Sequence, residues 1–204
     1  MSRVITQAVL DRGMTYRQYR TLISDLLTEG KVTGPKQGEF LTEYTRLNDR
    51  RMSRLDKTIQ LGDEITDVIG RISQPWTWLV ITEGWCGDAA QIVPLFAKVA
   101  EHTDKITMRI LLRDEHPDVI DAYLTNGGRS IPILVCLESN MLEPLGHWGP
   151  RPSPAQQMVI DFKNNPQGSR DEMVEKLHGW YAKDKTRTTQ QELAVAMSSW
   201  LRES

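Results

Sequence analysis

Of the two cysteines in this 204-residue chain, Cys86 stands in a setting suited to thiol chemistry, the run Trp85-Cys86-Gly87-Asp88-Ala89. An apolar stretch, Trp76-Thr77-Trp78-Leu79-Val80-Ile81, precedes it, and a segment of helical pattern containing Pro94 follows it. A strand followed by a cysteine at the first turn of a helix places the sulfur among unpaired N–H groups and at the positive end of the helix dipole. Both favour the thiolate, which is the nucleophile. A dithiol site would read Cys-x-x-Cys, but here the fourth position is Ala89. A lone thiolate can still attack a disulfide, and it then stays linked until a second thiol arrives from outside. Asp88 opposes the helix dipole, because a carboxylate close by disfavours a second negative charge. The sequence alone leaves the sign of the net shift open. Against this stands the plainer reading of Cys86 as a small buried apolar residue; the helix-end position predicts an exposed, reactive thiol.

The elements that must position this residue follow from the hydrophobic period. Up to residue 74 the chain reads as helical. Thr15-x-x-Gln18 is a capping-box pattern, and Tyr19, Leu22, Ile23, Leu26 and Leu27 form one apolar stripe. Gly30 and Gly34-Pro35 end that helix. A second helix runs from about Glu39 to Leu61, and a third carries Ile65, Val68, Ile69 and Ile72. Over residues 75–165 the period changes. Strands are predicted at Trp76–Thr82, Ile106–Leu112, Ile131–Leu137 and Glu143–Trp148. Helices are predicted at Gly87–His102, at Pro117–Thr125 and after Ser153-Pro154, with the proline at the first helical position. The order β-α-β-α-β-β-α needs a parallel pair joined by a right-handed crossover and then an antiparallel hairpin. Residues 166–204 return to helix, with capping-box patterns at Ser169-x-x-Glu172 and Thr189-x-x-Glu192.

Composition narrows the field of functions. The chain is 39% hydrophobic and 25% charged, with a formal net charge of −2, so no basic excess points to nucleic acid. No apolar run approaches the roughly 20 residues of a membrane span. The segment Met1–Met14 lacks the apolar core and cleavage site of a secretory signal. With two distant cysteines there is no disulfide framework, and a reducing, cytoplasmic setting is expected. The four histidines, His102, His116, His147 and His178, show no metal-ligand spacing. Arg46, Arg50, Arg54 and Lys57 make a basic stripe, read as a solvated helix face with Glu43, Asp49 and Asp56 at hand for ion pairs.

Taken together, the strand before Trp85-Cys86-Gly87, the helix proline Pro94, Asp114-Glu115-His116-Pro117 after the next strand, and Arg129-Ser130-Ile131-Pro132 before the third resemble the thioredoxin superfamily. The match covers about residues 75–165. With Leu145-Gly146-His147-Trp148-Gly149-Pro150-Arg151-Pro152, the chain is similar to a bacterial subfamily that lacks the second cysteine. The resemblance implies an α/β thioredoxin fold over 75–165 with helical extensions at 1–74 and 166–204. It further implies a cis peptide before Pro132, with Ile131 pairing to substrate and Trp85, Gly87 and Asp88 lining the site. The family's buried acid would fall at Val80, so the acid and the resolving cysteine are both missing. Cys136 lies four residues past Pro132 on one strand, about 13 Å along it. A disulfide needs Cα atoms within roughly 7 Å, and Cys136 is therefore read as core.

Two functions are expected from this. One is monothiol exchange through Cys86, with protein or small-molecule thiols and disulfides as partners. It needs no cofactor beyond a low-molecular-weight thiol as co-substrate. The other is a non-catalytic binding or scaffold module on the same fold. A sulfenic-acid site with His147 as its base comes last. His147, Trp148 and Arg151 are accessory candidates on the loop near the active face, with a rigid, packed connector as the plainer reading. Tryptophans on the flanking helices are candidates for a homodimer surface.

Overall fold

The protein is described here by a computed structural model covering residues 4–201; part of the N-terminal reading, residues 1–3, lies outside the described residues. The helices α1 (Gln7–Asp11), α2 (Tyr16–Thr28), α3 (Glu39–Thr58) and α4 (Asp63–Gly70) come first. Then follow β1 (Trp76–Thr82), α5 (Gly87–Glu101), β2 (Ile106–Leu112), α6 (Pro117–Asp121), β3 (Ile133–Glu138), β4 (Pro144–Trp148) and α7 (Ser153–Asn164). The C-terminal helices are α8 (Arg170–Asp184) and α9 (Arg187–Trp200).

β1 is apolar without alternation, so it must be covered on both faces, and all seven of its residues are buried. It occupies an inner position of a four-stranded sheet ordered β2-β1-β3-β4. β1 and β2 are parallel, and α5 connects them. β3 runs antiparallel to β1, and β4 antiparallel to β3. This is an α/β mixed sheet in the β-α-β-α-β-β-α order, with helical extensions on both sides. β3 starts two residues later than its apolar run, just past the cis Ile131–Pro132 peptide. α6 stops at Asp121, because Thr125 and Gly128 pair with each other in a tight turn instead.

The flanking helices share the core with the sheet. Tyr19, Ile23, Met52, Leu177, Tyr181 and Trp200 belong to the same buried cluster as β1 and α5. Met14 makes a one-residue bridge to Ile110 and so covers part of the β2 edge, where unpaired strand groups would invite other chains. Capping boxes form at Thr15/Gln18 and at Ser169/Glu172. The third capping pattern does not form: Thr189 is buried inside α9. Glu192 reaches across the chain and accepts the Ser153 N–H at 2.7 Å. It thereby caps α7, whose N-cap is Pro152 and not Ser153. Gln190 likewise accepts the Gly62 N–H at the start of α4 (2.8 Å) and donates to the Gln60 carbonyl. Asp49 and Asp56 pair with Arg20 on α2, whereas Glu43 serves the basic stripe, at 3.4 Å from Arg46.

Gly146 on β4 is what lets α9 approach: Trp200 lies against it, in the space a Cβ would fill, and meets Trp76 edge-on at 6.2 Å. Gly146→Ala is expected to lift Trp200 and cost roughly 1–3 kcal/mol. Equilibrium urea unfolding followed by tryptophan fluorescence measures the loss; an unchanged midpoint would refute this packing.

Candidate functional site

Cys86 is the N-cap residue of α5. Its backbone N–H bonds to the Glu83 carbonyl at 3.1 Å, and its own carbonyl accepts from Ala90. Sγ accepts the Ala89 N–H at 3.5 Å and donates to the Ile131 carbonyl at 3.4 Å. The helix end therefore does point an N–H at the sulfur. The second contact, however, requires the proton to be on sulfur.

The chain around the cysteine is tied down from below and covered from above. Thr33 Oγ1 accepts the Gly84 N–H (2.9 Å), and Asn48 Nδ2 donates to the Gly84 carbonyl (3.2 Å). Glu83 is fully buried, and its Oε1 accepts the Asp114 N–H at 2.9 Å. Burial raises its carboxyl above the usual range. Over the other side lies α8, which carries His178 and Tyr181 on one face. His178 Nε2 meets the Tyr44 hydroxyl at 2.9 Å, and Nδ1 meets Gln91 Nε2 at 3.1 Å. Burial, with Arg51 nearby, lowers His178 to about 3, so the imidazole is neutral at pH 7. The Gln91 amide N–H leaves Nδ1 as acceptor, which puts the ring proton on Nε2 toward Tyr44. Gly87 permits this closeness, since a Cβ there would stand 2.8 Å from His178 Nε2.

The thiol is consequently not exposed as the helix-end position predicts. Cys86 is 8% accessible, because residues of α3 and α8 pack over the start of α5. Burial first, and then the Asp88 carboxylate, push its thiol up to about 12; the Ala89 N–H and Arg151 pull the other way without prevailing. The contest between helix dipole and carboxylate that the sequence leaves open is decided mainly by desolvation.

Asp88 is itself buried. Its Oδ2 accepts from Arg151 Nε at 2.8 Å and lies 2.7 Å from Nη2, and Oδ1 accepts the Tyr181 hydroxyl at 2.9 Å. Burial raises its carboxyl, although Arg151 and Tyr181 both favour the anion. Arg151 is thus brought into the site. His147 is not: it is exposed and turns its ring to Tyr123. Trp148, its neighbour on β4, points to the opposite face of the sheet and packs edge-on against Phe96 of α5. His147 therefore faces away from the helix that carries Cys86, and Trp148 is a packing residue. Trp85 is half-buried, with the Arg113 guanidinium 4.7 Å over its ring. Ile131 is buried, and its carbonyl meets the sulfur. Val80 and Cys136 are core, and both cysteines are free.

Sequence reasoning missed Tyr44, Glu83, Gln91, His178 and Tyr181. Glu83 lies in the short loop after a strand, where no periodicity marks burial. Tyr44, His178 and Tyr181 come from helices far off in sequence; only the spacing of His178 and Tyr181, on one face of a helix, was there to be read. Among the described residues, no group of three or more His, Cys, Asp or Glu could hold a metal ion, and no helix is long and apolar enough to cross a membrane.

A family model described as thioredoxin matches residues 34–163, a span that takes in α3 and α4 as well as the sheet. No curated protein matches the chain. Among solved structures, a protein of unknown function from Pseudomonas aeruginosa is similar over 93% of this chain and 94% of its own, with a TM-score of 0.60 at 17% identity. An HIV epitope-scaffold protein is similar over 88% of this chain and 94% of its own, with a TM-score of 0.50 at 16% identity. At such identities the likeness is one of fold, and it extends to the helical flanks.

A thiol whose pKa is raised by folding adds stability that is complete below the free value of about 8.5 and fades as pH rises toward the folded value. The native chain is therefore expected to lose its stability advantage over Cys86→Ser as pH climbs from about 8.5 upward. Urea midpoints of the two chains across that range measure it. A constant difference, or iodoacetamide labelling of folded Cys86 that levels off near pH 8.5, would overturn the raised value.

Proposed function

The chain belongs to the thioredoxin family, and from that premise we propose that it performs monothiol exchange at Cys86, as a single-cysteine branch of that family working in a reducing cytoplasm. One observation carries this reading: Cys86 Sγ lies at the N-terminus of α5 and against the Ile131 carbonyl beside the cis Pro132 peptide. That places the sulfur next to the backbone which, on the family resemblance, receives the substrate. With Ala89 in the fourth position and Cys136 buried in β3, no second thiol of the chain completes a cycle.

The reaction is then an exchange in two halves. The Cys86 thiol gives its proton to water, and the thiolate attacks one sulfur of a disulfide. A new bond joins Cys86 to that sulfur, and the other sulfur leaves as a thiolate. A low-molecular-weight thiol from outside, as its thiolate, attacks the sulfur joined to Cys86 and forms a new disulfide with it, and Cys86 leaves as a thiolate that takes a proton back from water. Trp85, Gly87 and Asp88 border the sulfur, and Ile131-Pro132 orients the incoming disulfide. The protein rests with its thiol protonated and covered; exchange passes through a state in which α8 has moved off Gly87.

The cover also favours a second reading, a non-catalytic binding module, because Tyr44, His178 and Tyr181 close over the start of α5. The two separate cleanly. Incubating the folded chain with glutathione disulfide and reading intact mass is expected to give one adduct, on Cys86, retained in Cys136→Ser and absent in Cys86→Ser. No intramolecular disulfide is expected. An adduct that forms only in urea, and never in the folded chain, would favour the binding module.

A further inference from the structure

Beside the thiol stands a group of side chains arranged to hold a carboxylate. Arg151 turns Nε and Nη2 toward one oxygen of Asp88, at 2.8 and 2.7 Å, and Tyr181 donates to the other oxygen at 2.9 Å. Gln156 fixes the guanidinium from behind, accepting from Nη1 at 3.1 Å. An arginine edge and a phenol converging on one carboxylate is a common way to recognise that group. Here the carboxylate comes from the chain itself.

That occupant works against the chemistry assigned to the site. Asp88 is only 7% accessible, and taking an ion pair out of water costs about as much as its attraction returns. Its charge also opposes ionisation of Cys86. An arrangement that adds little to stability and restrains the nucleophile makes sense if the carboxylate is exchangeable. The element that supplies Tyr181 is also thinly held. Most of the first half of α8 is exposed, only Leu177 and Tyr181 are buried along the helix, and Gly179 lies within it. A cleft of about 470 Å3, lined by Met158, Phe162, Met173 and Lys176 among others, lies between the first turns of α8 and the C-terminal part of α7. Few buried contacts and a mid-helix glycine mark a segment that opens at low cost.

We infer that Arg151 and Tyr181 form a receptor for the carboxylate of a small anionic disulfide, and that Asp88 is the tethered occupant that keeps the receptor filled at rest. The substrate class rests on the exchange reading above. When an anionic disulfide binds, its carboxylate takes the place of Asp88 on Arg151, and Tyr181 donates to it once α8 has closed again. Asp88 swings outward with the opening of α8, and the repulsion on the sulfur is relieved. The thiolate then attacks the nearer sulfur, and one half of the disulfide leaves as a thiolate.

Two measurements on the full chain decide the matter. Asp88→Ala empties the receptor, and Asp88→Asn keeps its shape while removing the competing charge, so that one of the two serves if the other folds poorly. Rates of adduct formation at Cys86 are compared for 3,3′-dithiodipropionate, neutral 2-hydroxyethyl disulfide and cationic cystamine. In either variant the dianion is expected to react about tenfold faster than the neutral compound, and the preference should vanish when Arg151→Met is added. Separately, acetate should raise the Tm of Asp88→Ala saturably, beyond the effect of equal chloride, and leave Asp88→Ala/Arg151→Met unmoved. Equal rates for the three disulfides together with no specific acetate effect overturn the receptor. A chain that acetate stabilises but that reacts with none of the disulfides overturns monothiol exchange and leaves the receptor standing.

Discussion

The buried ion pair between Arg151 and Asp88 is the constraint around which this site is built. Asp88 sits in the first turn of α5, beside the cysteine that caps the helix, and its charge has to be compensated away from water. Arg151 comes from the connector between β4 and α7, and Tyr181 from α8, so one carboxylate gathers three separate parts of the chain. The same gathering draws His178 over Gly87 and onto Tyr44 and Gln91. The covered, protonated thiol is the outcome: desolvation, with the Asp88 carboxylate, outweighs the helix end.

The helical extensions are thus part of the site and of the fold. α3 supplies Asn48 and Tyr44, the segment after α2 supplies Thr33, and α8 supplies His178 and Tyr181. Asn48 and Thr33 satisfy the backbone of Gly84, two residues before Cys86, while His178 pairs with Tyr44 and Gln91, and Tyr181 with Asp88. The likeness to other solved structures runs over more than nine-tenths of this chain in one case and nearly that in the other.

The sheet was legible in the sequence because its signals are local. A short unbroken apolar run rich in aromatic and β-branched residues reads as a buried strand, and Trp76–Thr82 is one; Thr15-x-x-Gln18 closed its capping box within a single turn. The order of motifs from Trp85-Cys86 to Ile131-Pro132 singled out Cys86 and the peptide that its sulfur touches. What escaped were contacts made at long range. Thr189-x-x-Glu192 has the letters of a capping box, but Glu192 serves Ser153 on another helix. Asp49 and Asp56 lie beside a basic stripe in sequence and pair with Arg20 instead. The exposure of Cys86 could not be read from its own neighbourhood, because the residues that cover it lie far along the chain, in the two extensions.

The seat of Trp200 against Gly146 has a consequence for how the protein is made. Trp76 is synthesised well before α9, an interval on the order of ten seconds at usual rates. During that interval Trp76 lacks its edge-on partner, α4 lacks the Gln190 contact at its first turn and α7 lacks Glu192. α9 therefore works as a clasp fastened after the elements that precede it are laid down. The nascent protein passes through a stage in which its thiol helix is already in place while the clasp that completes the core is still being assembled.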